Sequence, residues 1–204
     1  MNIRMKNEHE KVAWIDIDDT IALSWQLMAG LYSNYYYENN GRFPVPDFNI
    51  ECEDDLCFAD IFHVQDEELS GFFAKYYPEY LQKILPAPGA KEFLEELKQY
   101  GYQINLISAR RDKDGRAEQI TRAWLVAYEL PYDSLVINCK DKASCLHNNM
   151  GVFVDDSYAH CKAVSEGTSL TVIQKKCEYG KACPGVFQSG NFEEIFAYIL
   201  EEEK

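Results

Sequence analysis

Asp16, Asp18 and Asp19 fall within four positions at the end of a short apolar run, in the stretch VAWIDIDDTIALS. Ionised carboxylates this close repel one another, and burying them is costly. A strand end that gathers them is therefore built for a positive partner. Chemistry-bearing residues follow other apolar runs too. Ser108, Ala109 and Arg110 come after QINLI, Lys140 and Lys142 after SLVIN, and Asp155 and Asp156 after GVFV. Carboxylate oxygens suit a hard divalent cation, and Mg²⁺ in particular binds through one or two carboxylates, waters and substrate phosphate oxygens. A phosphate beside that cation would meet the Ser108 hydroxyl, a lysine and the backbone N–H groups of the loop at Ala109. One acid can then attack phosphorus and form an aspartyl-phosphate. A second acid two residues on can protonate the leaving oxygen and later deprotonate the hydrolytic water. Asp19 points elsewhere as an immediate neighbour and reads as a turn or helix-start residue.

Residues so far apart in the chain meet only if the fold collects them. Val12–Ile17 reads as a central parallel strand. From residue 86 the pattern is regular. Helices are expected over 90–100, 115–129, 143–149, 158–165 and 192–202, and strands over 103–107, 135–138, 151–154 and 170–173. Strands alternating with helices give right-handed βαβ units, hence an α/β protein with a Rossmann-like parallel sheet and helices on both faces. In such a sheet ligands bind at the carboxyl ends of the strands, where the residues named above lie. Residues 24–87 interrupt the alternation. Trp25, Met28, Leu31, Tyr32, Tyr35 and Tyr36 recur at helical spacing up to Gly41, and 66–85 forms a second helix. The expected organisation is a core of residues 1–23 and 88–204 with a small helical cap, 24–87, inserted after the first strand.

The chain has 204 residues, 47% of them hydrophobic, which is enough for a real core. A formal net charge of −14 argues against binding a nucleic acid polymer or an anionic membrane surface. The sequence has no apolar run of transmembrane length and no signal-like stretch before the first strand. The seven cysteines (52, 57, 139, 145, 161, 177 and 183) are odd in number and form no dense scaffold, so reduced thiols in the cytoplasm are expected. His160, Cys161, Cys177 and Cys183 match no compact zinc knuckle, and buried thiols behave as small hydrophobes.

The ordered set of motifs resembles the haloacid dehalogenase superfamily of phosphatases: D-x-D-x-T at Asp16, Asp18 and Thr20, then Ser108 in INLISAR, then a lysine, then GVFVDDS. The resemblance implies Asp16 as nucleophile and Asp18 as acid/base. It implies Mg²⁺ held by Asp16, the Asp18 backbone carbonyl and Asp155, with Asp156 as a further candidate around the metal. Ser108 and a lysine would contact the transferring phosphoryl group. Lys142 is preferred because it opens a helix, with Lys140 as second choice. Position 19 is often Gly in relatives and is Asp here. The 24–87 insert resembles a cap of the first type. ILPAPGAKEFLEEL resembles the segment before the second motif in cytosolic 5′(3′)-deoxyribonucleotidases and their bacterial relatives. The expected activity is thus hydrolysis of a small phosphomonoester, with a nucleoside monophosphate first and a sugar phosphate as the alternative.

Simpler readings compete. Ser108 and Asp155–Asp156 are also ordinary helix caps. Arg110 and Arg111 are expected to be solvated or salt-bridged, or one of them to meet the leaving group. Trp25, Phe58, Phe62 and Tyr35–Tyr37 suit a cap core better than a base-stacking platform, since a run of three cannot face one way on a helix. A receiver-like phospho-Asp switch would need its phosphoacceptor after a middle strand and before the Ser/Thr, and no strand-end Asp stands there. A catalytically silent binding protein is disfavoured by the intact Asp16, Asp18, Ser108 and Asp155 set.

Overall fold

The structure, a computed structural model, describes residues 11–50, 58–111, 115–146, 150–177 and 179–202. Six strands form one parallel sheet: β1 (Val12–Asp16), β2 (Gln103–Ile107), β3 (Ser134–Val136), β4 (Val152–Asp155), β5 (Thr171–Lys175) and β6 (Phe187–Ser189). Their order across the sheet is β3-β2-β1-β4-β5-β6. The helices are α1 (Ser24–Asn40), α2 (Phe58–Ile61), α3 (Asp66–Lys83), α4 (Ala90–Gln99), α5 (Arg116–Ala127), α6 (Lys142–Cys145), α7 (Tyr158–Gly167) and α8 (Phe192–Glu202).

Strand side chains alternate between the two faces, and both faces are buried. Ala13, Ile15, Ile104, Leu106, Val152, Val154 and Ile173 pack with Phe93, Leu94 and Leu97 of α4, Trp124 and Leu125 of α5, and Ile195 and Ile199 of α8. Ile107, Phe153 and Val172 pack with Leu146 and with Cys161 and Val164 of α7. Helical periodicity explains α4 and α8, whose apolar residues recur every three to four positions toward the sheet.

Residues 24–83 carry α1–α3 and an aromatic cluster of their own. Tyr32, Phe58, Phe62 and Phe72 are buried in it, and Trp25, Tyr35 and Tyr36 are partly buried against it. Tyr37 turns outward and stacks on Phe43 at 4.7 Å between ring centroids. The chain leaves and re-enters the sheet region through two adjoining strips. Leu23 N–H donates to Leu85 O at 2.8 Å, and Ala87 N–H donates to Ile21 O at 2.9 Å.

Three features depart from the sequence reading. The strand β6 was not expected: it is short, half-buried and at the sheet edge, so it carries little hydrophobic pattern. The short helix expected over 143–149 begins at Lys142 and ends at Cys145, because the Asp141 side chain accepts from Ser144 N–H and fixes the start; residues 147–149 lie outside the described residues. The thiols are corrected as well. Cys139 and Cys145 form a disulfide, since the single turn of α6 folds the chain back over six positions. Among the described residues Cys161 and Cys177 are free thiols and Cys183 is buried, whereas Cys52 and Cys57 lie outside them.

Gly151 immediately precedes β4 at φ +121°, and a Cβ there would stand 2.1 Å from the Val12 carbonyl oxygen of the neighbouring strand. No rotamer relieves a clash with backbone. Gly151→Ala should therefore lower unfolding free energy by more than about 2 kcal/mol in chemical denaturation. Unchanged stability would contradict this close β1–β4 approach.

Candidate active site

Strand register brings the separated motifs together. Ile15 is paired with Val154, so Asp16 and Asp155 leave adjacent strands side by side. Asp16 is paired with Ile107, so Ser108 follows directly on the other side. The order of connection reverses at β1, between β2 and β4, and the strand ends there frame a crevice.

Lys142 lies at the centre of this crevice. Its side chain is 1% exposed. Its Nζ donates to Asp155 Oδ2 at 2.5 Å and to Asp16 Oδ1. Burial alone would lower the ammonium pKa, but the two carboxylates reverse this and hold Lys142 charged. Asp16 is pushed up to about 7 by burial, which outweighs the attraction of Lys142, with Asp155 and Asp18 adding repulsion. Burial also acts on Asp155, but Lys142 and His160 overcome it and hold it below the usual range. His160 Nδ1 is 3.3 Å from Asp155 Oδ1, and Ser157 N–H donates to the same oxygen at 3.0 Å. Asp156 is raised well above the usual range by burial and by the charges of Asp155 and Asp16. Its carboxylate accepts from Thr20 Oγ1 at 3.3 Å.

Asp16, Asp155 and Asp156 place one carboxylate oxygen each within 4.8 Å of one another. Lys142 supplies one positive charge against three acids. Oxygen-only donors with excess negative charge fit a hard divalent cation such as Mg²⁺ and not a thiolate-seeking metal. The two motif-one acids differ in their partners. Asp18 is held by a two-pronged Arg110 clamp, with Nε donating to Oδ2 at 2.8 Å and Nη2 to Oδ1 at 2.9 Å. Ser24 Oγ donates to Asp18 Oδ1 at 2.5 Å, and Ser108 Oγ is 3.4 Å from Oδ2. Burial would raise Asp18, but Arg110 and these hydrogen bonds outweigh it and keep the carboxyl below its ordinary range.

Asp19 adopts φ 58° and accepts from Trp25 N–H at 2.8 Å, a turn residue that caps the first turn of α1. That left-handed conformation is one that glycine also serves. The Ser108 hydroxyl is fully buried and accepts from Arg110 N–H at 3.1 Å. Ala109 lines a cavity of about 900 Å³ between α3, α5 and the site, whose wall includes Asp18, Phe73, Tyr77, Tyr80, Arg111 and Arg116. Lys140 is exposed to solvent, outside the Asp16–Asp155 pair.

Arg110 takes the salt-bridged form that was one of its expected states, and the sequence did not single out Asp18 as its partner. It is 6% exposed, clamps Asp18, and donates through Nη1 to Thr121 of α5 at 2.8 Å. Its place three residues past a central strand end was the available signal, but an arginine there reads equally well as a surface charge.

No protein-family profile matches the sequence, and no curated protein is similar to it in sequence. Solved structures do match in fold. A haloacid dehalogenase-like family hydrolase from Streptococcus pneumoniae aligns over 92% of this chain and 97% of its own, at 14% identity and a TM-score of 0.65. The Bacillus subtilis hydrolase YfnB, bound to magnesium, aligns over 94% and 99% at 10% identity and TM-score 0.60. A variant of CbbY from Rhodobacter sphaeroides, in complex with xylulose-(1,5)-bisphosphate, aligns over 90% and 95% at 15% identity and TM-score 0.53. At these identities the likeness establishes the fold: this chain has the haloacid dehalogenase-type α/β architecture. No described helix is long and apolar enough to cross a membrane.

Saturating Mg²⁺ should raise the thermal midpoint by about 5–10 °C at a hundredfold excess over Kd. Asp155→Asn should remove most of that gain in differential scanning fluorimetry. An equal gain in the variant would place the cation elsewhere.

Proposed function

We propose that this protein is a Mg²⁺-dependent phosphomonoesterase of the haloacid dehalogenase type that works through an aspartyl-phosphate on Asp16. One observation carries the reading. The buried Lys142 ammonium joins Asp16 and Asp155 at two adjacent strand tips, with the Ser108 hydroxyl at the third. A cluster of acids that a single lysine neutralises only in part is suited to receive a cation, and an anionic phosphoryl group with it.

Asp16, Asp155 and Asp156 would hold the cation, along with the Asp18 backbone carbonyl. When bound, the cation supplies positive charge that offsets the repulsion between these acids and the phosphate oxygens. Lys142, Ser108 and the backbone at Ala109 bind and orient the phosphoryl group. An Asp16 oxygen attacks phosphorus as the ester oxygen leaves, and Asp18 delivers a proton to that oxygen. Asp18 then takes a proton from water, which attacks the aspartyl-phosphate and releases inorganic phosphate. The Arg110 clamp keeps Asp18 ionised, which is the form the second step needs. Loading Asp18 with a proton for the first step requires the clamp to loosen as the leaving group fills the neighbouring cavity.

Residues 24–87 act as a cap. The paired strips at 21–23 and 85–87 and the separate aromatic cluster support this, as does the interdomain movement described for YfnB. Tyr77 Oη meets Arg111 O at 3.3 Å across the cavity, where cap and core touch. The cavity volume suits a leaving group the size of a nucleoside, and Phe73, Tyr77 and Tyr80 give it aromatic walls. A nucleoside monophosphate is therefore the first substrate class. A sugar phosphate is the second, favoured by the sugar bisphosphate bound to CbbY.

A panel of nucleoside monophosphates, sugar phosphates and an aryl phosphate, assayed with Mg²⁺, tests the reading. Turnover should appear, vanish with EDTA and return with Mg²⁺. Asp16→Asn should lower kcat by at least about a thousandfold while leaving the circular dichroism spectrum unchanged. A flat panel, or activity surviving in Asp16→Asn, rejects the mechanism.

A further inference from the structure

We propose that Cys139 and Cys145 form a thiol–disulfide exchange site that governs how firmly Lys142 is held, with low-molecular-weight thiols and disulfides as its reagents. The functional half of this inference rests on Lys142 being the phosphate-binding lysine.

The disulfide closes a short ring of chain, and Lys142 lies midway round it. Inside the ring is α6, a helix of four residues. One turn of helix has no stability of its own, because nucleation is unfavourable and almost no propagation follows. The turn therefore depends on its ties. Asp141 caps it, accepting from Ser144 N–H at 3.1 Å and from Ser144 Oγ at 2.5 Å. Leu146 N–H donates to Lys142 O at 2.9 Å, and the Leu146 side chain is buried. At the other end Cys139 N–H donates to Ser108 O at 3.0 Å. The ring thus couples two groups of the site, being bonded to the backbone of Ser108 and carrying Lys142. Opening the disulfide frees the segment between the two cysteines. Lys142 is then placed mainly by its own ion pairs with Asp16 and Asp155, both of which a bound cation would also engage.

The two cysteines are unequally exposed. Cys145 is exposed and Cys139 is buried. This asymmetry suits stepwise exchange. In oxidation the Cys145 thiolate attacks one sulfur of a small disulfide such as glutathione disulfide, breaking its S–S bond and releasing one thiolate. The Cys139 thiolate then attacks the Cys145 sulfur, forms the protein disulfide and releases the second thiolate. Two electrons pass from the protein dithiol to the small disulfide, and the two thiol protons go to solvent or to the released thiolates. Reduction by a small thiol runs the same steps in reverse. Disulfides that persist in a reducing compartment are unusual, whereas pairs that cycle there serve catalysis or sensing.

The test equilibrates the full chain in glutathione buffers of graded redox ratio. Alkylation and mass spectrometry of the 139–145 peptide report the thiol state. Affinity for inorganic phosphate in the presence of Mg²⁺ and amide hydrogen exchange over 140–146 are measured in parallel. The peptide should interconvert between dithiol and disulfide across the series. Reduction should weaken phosphate binding roughly tenfold, the scale of a small misplacement at a reacting centre, and should speed exchange over 140–146. Cys145→Ser, at the exposed position, should show the reduced values in every buffer. Free thiols at both positions in the most oxidising buffer would overturn the proposal. So would equal phosphate affinity and equal amide exchange in the two redox states. Absence of turnover on every phosphate ester, with redox-dependent phosphate binding and amide exchange intact, would fault the phosphatase reading and support this one.

Discussion

The arrangement depends on one buried cation held between two acids. Lys142 joins Asp16 and Asp155 where both are almost wholly removed from water, and among the described residues neither carboxylate has another full charge of opposite sign as close. Removing one member of such a trio strands the others, so the three constrain one another's positions. The trio is still short of positive charge once Asp156 is included. That shortfall fits a hard cation, which would give the acids at the end of β1 a chemical reason to be there.

The sheet delivers these groups with little help from loops. Parallel register places Asp16 level with Ile107 and one step from Val154, so three strand tips project their next residues into one space. Backbone hydrogen bonding fixes that register, and Gly151 permits it by letting β4 approach the Val12 carbonyl. Arg110 plays a parallel role one layer out. It ties Asp18 to Thr121 of α5, so this cavity-lining acid answers to a helix as well as to the strand that precedes it.

The lysine is held in a less rigid setting than its carboxylates. Asp16 and Asp155 end strands within a continuous sheet, whereas Lys142 rides on a single helical turn closed by a disulfide. The strand-held acids are thus paired with a lysine carried on a helix of four residues. This difference makes the β3–α6 connection the place where conditions outside the crevice can reach into it.

Much of this was legible in the linear chain. Apolar runs of strand length alternating with amphipathic stretches required a covered parallel sheet, because such strands bury both faces and need helical crossovers. The helix over 192–202 and the strand over 103–107 coincide with what periodicity demands. Acids, a serine and lysines placed just after such runs pointed to one crevice, since strand ends of a parallel sheet share an edge. What periodicity could not provide was strand order, which depends on long-range pairing and places β1 between β2 and β4. Burial was equally out of reach: Lys140 and Lys142 are two residues apart and chemically identical, yet one is exposed and the other enclosed. Arg110 has the same character, as its clamp on Asp18 spans ninety-two positions. The Cys139–Cys145 bond and the edge strand β6 complete the set. A turn that folds back on itself and a three-residue edge strand leave almost no periodic trace, and only the packed chain makes them definite.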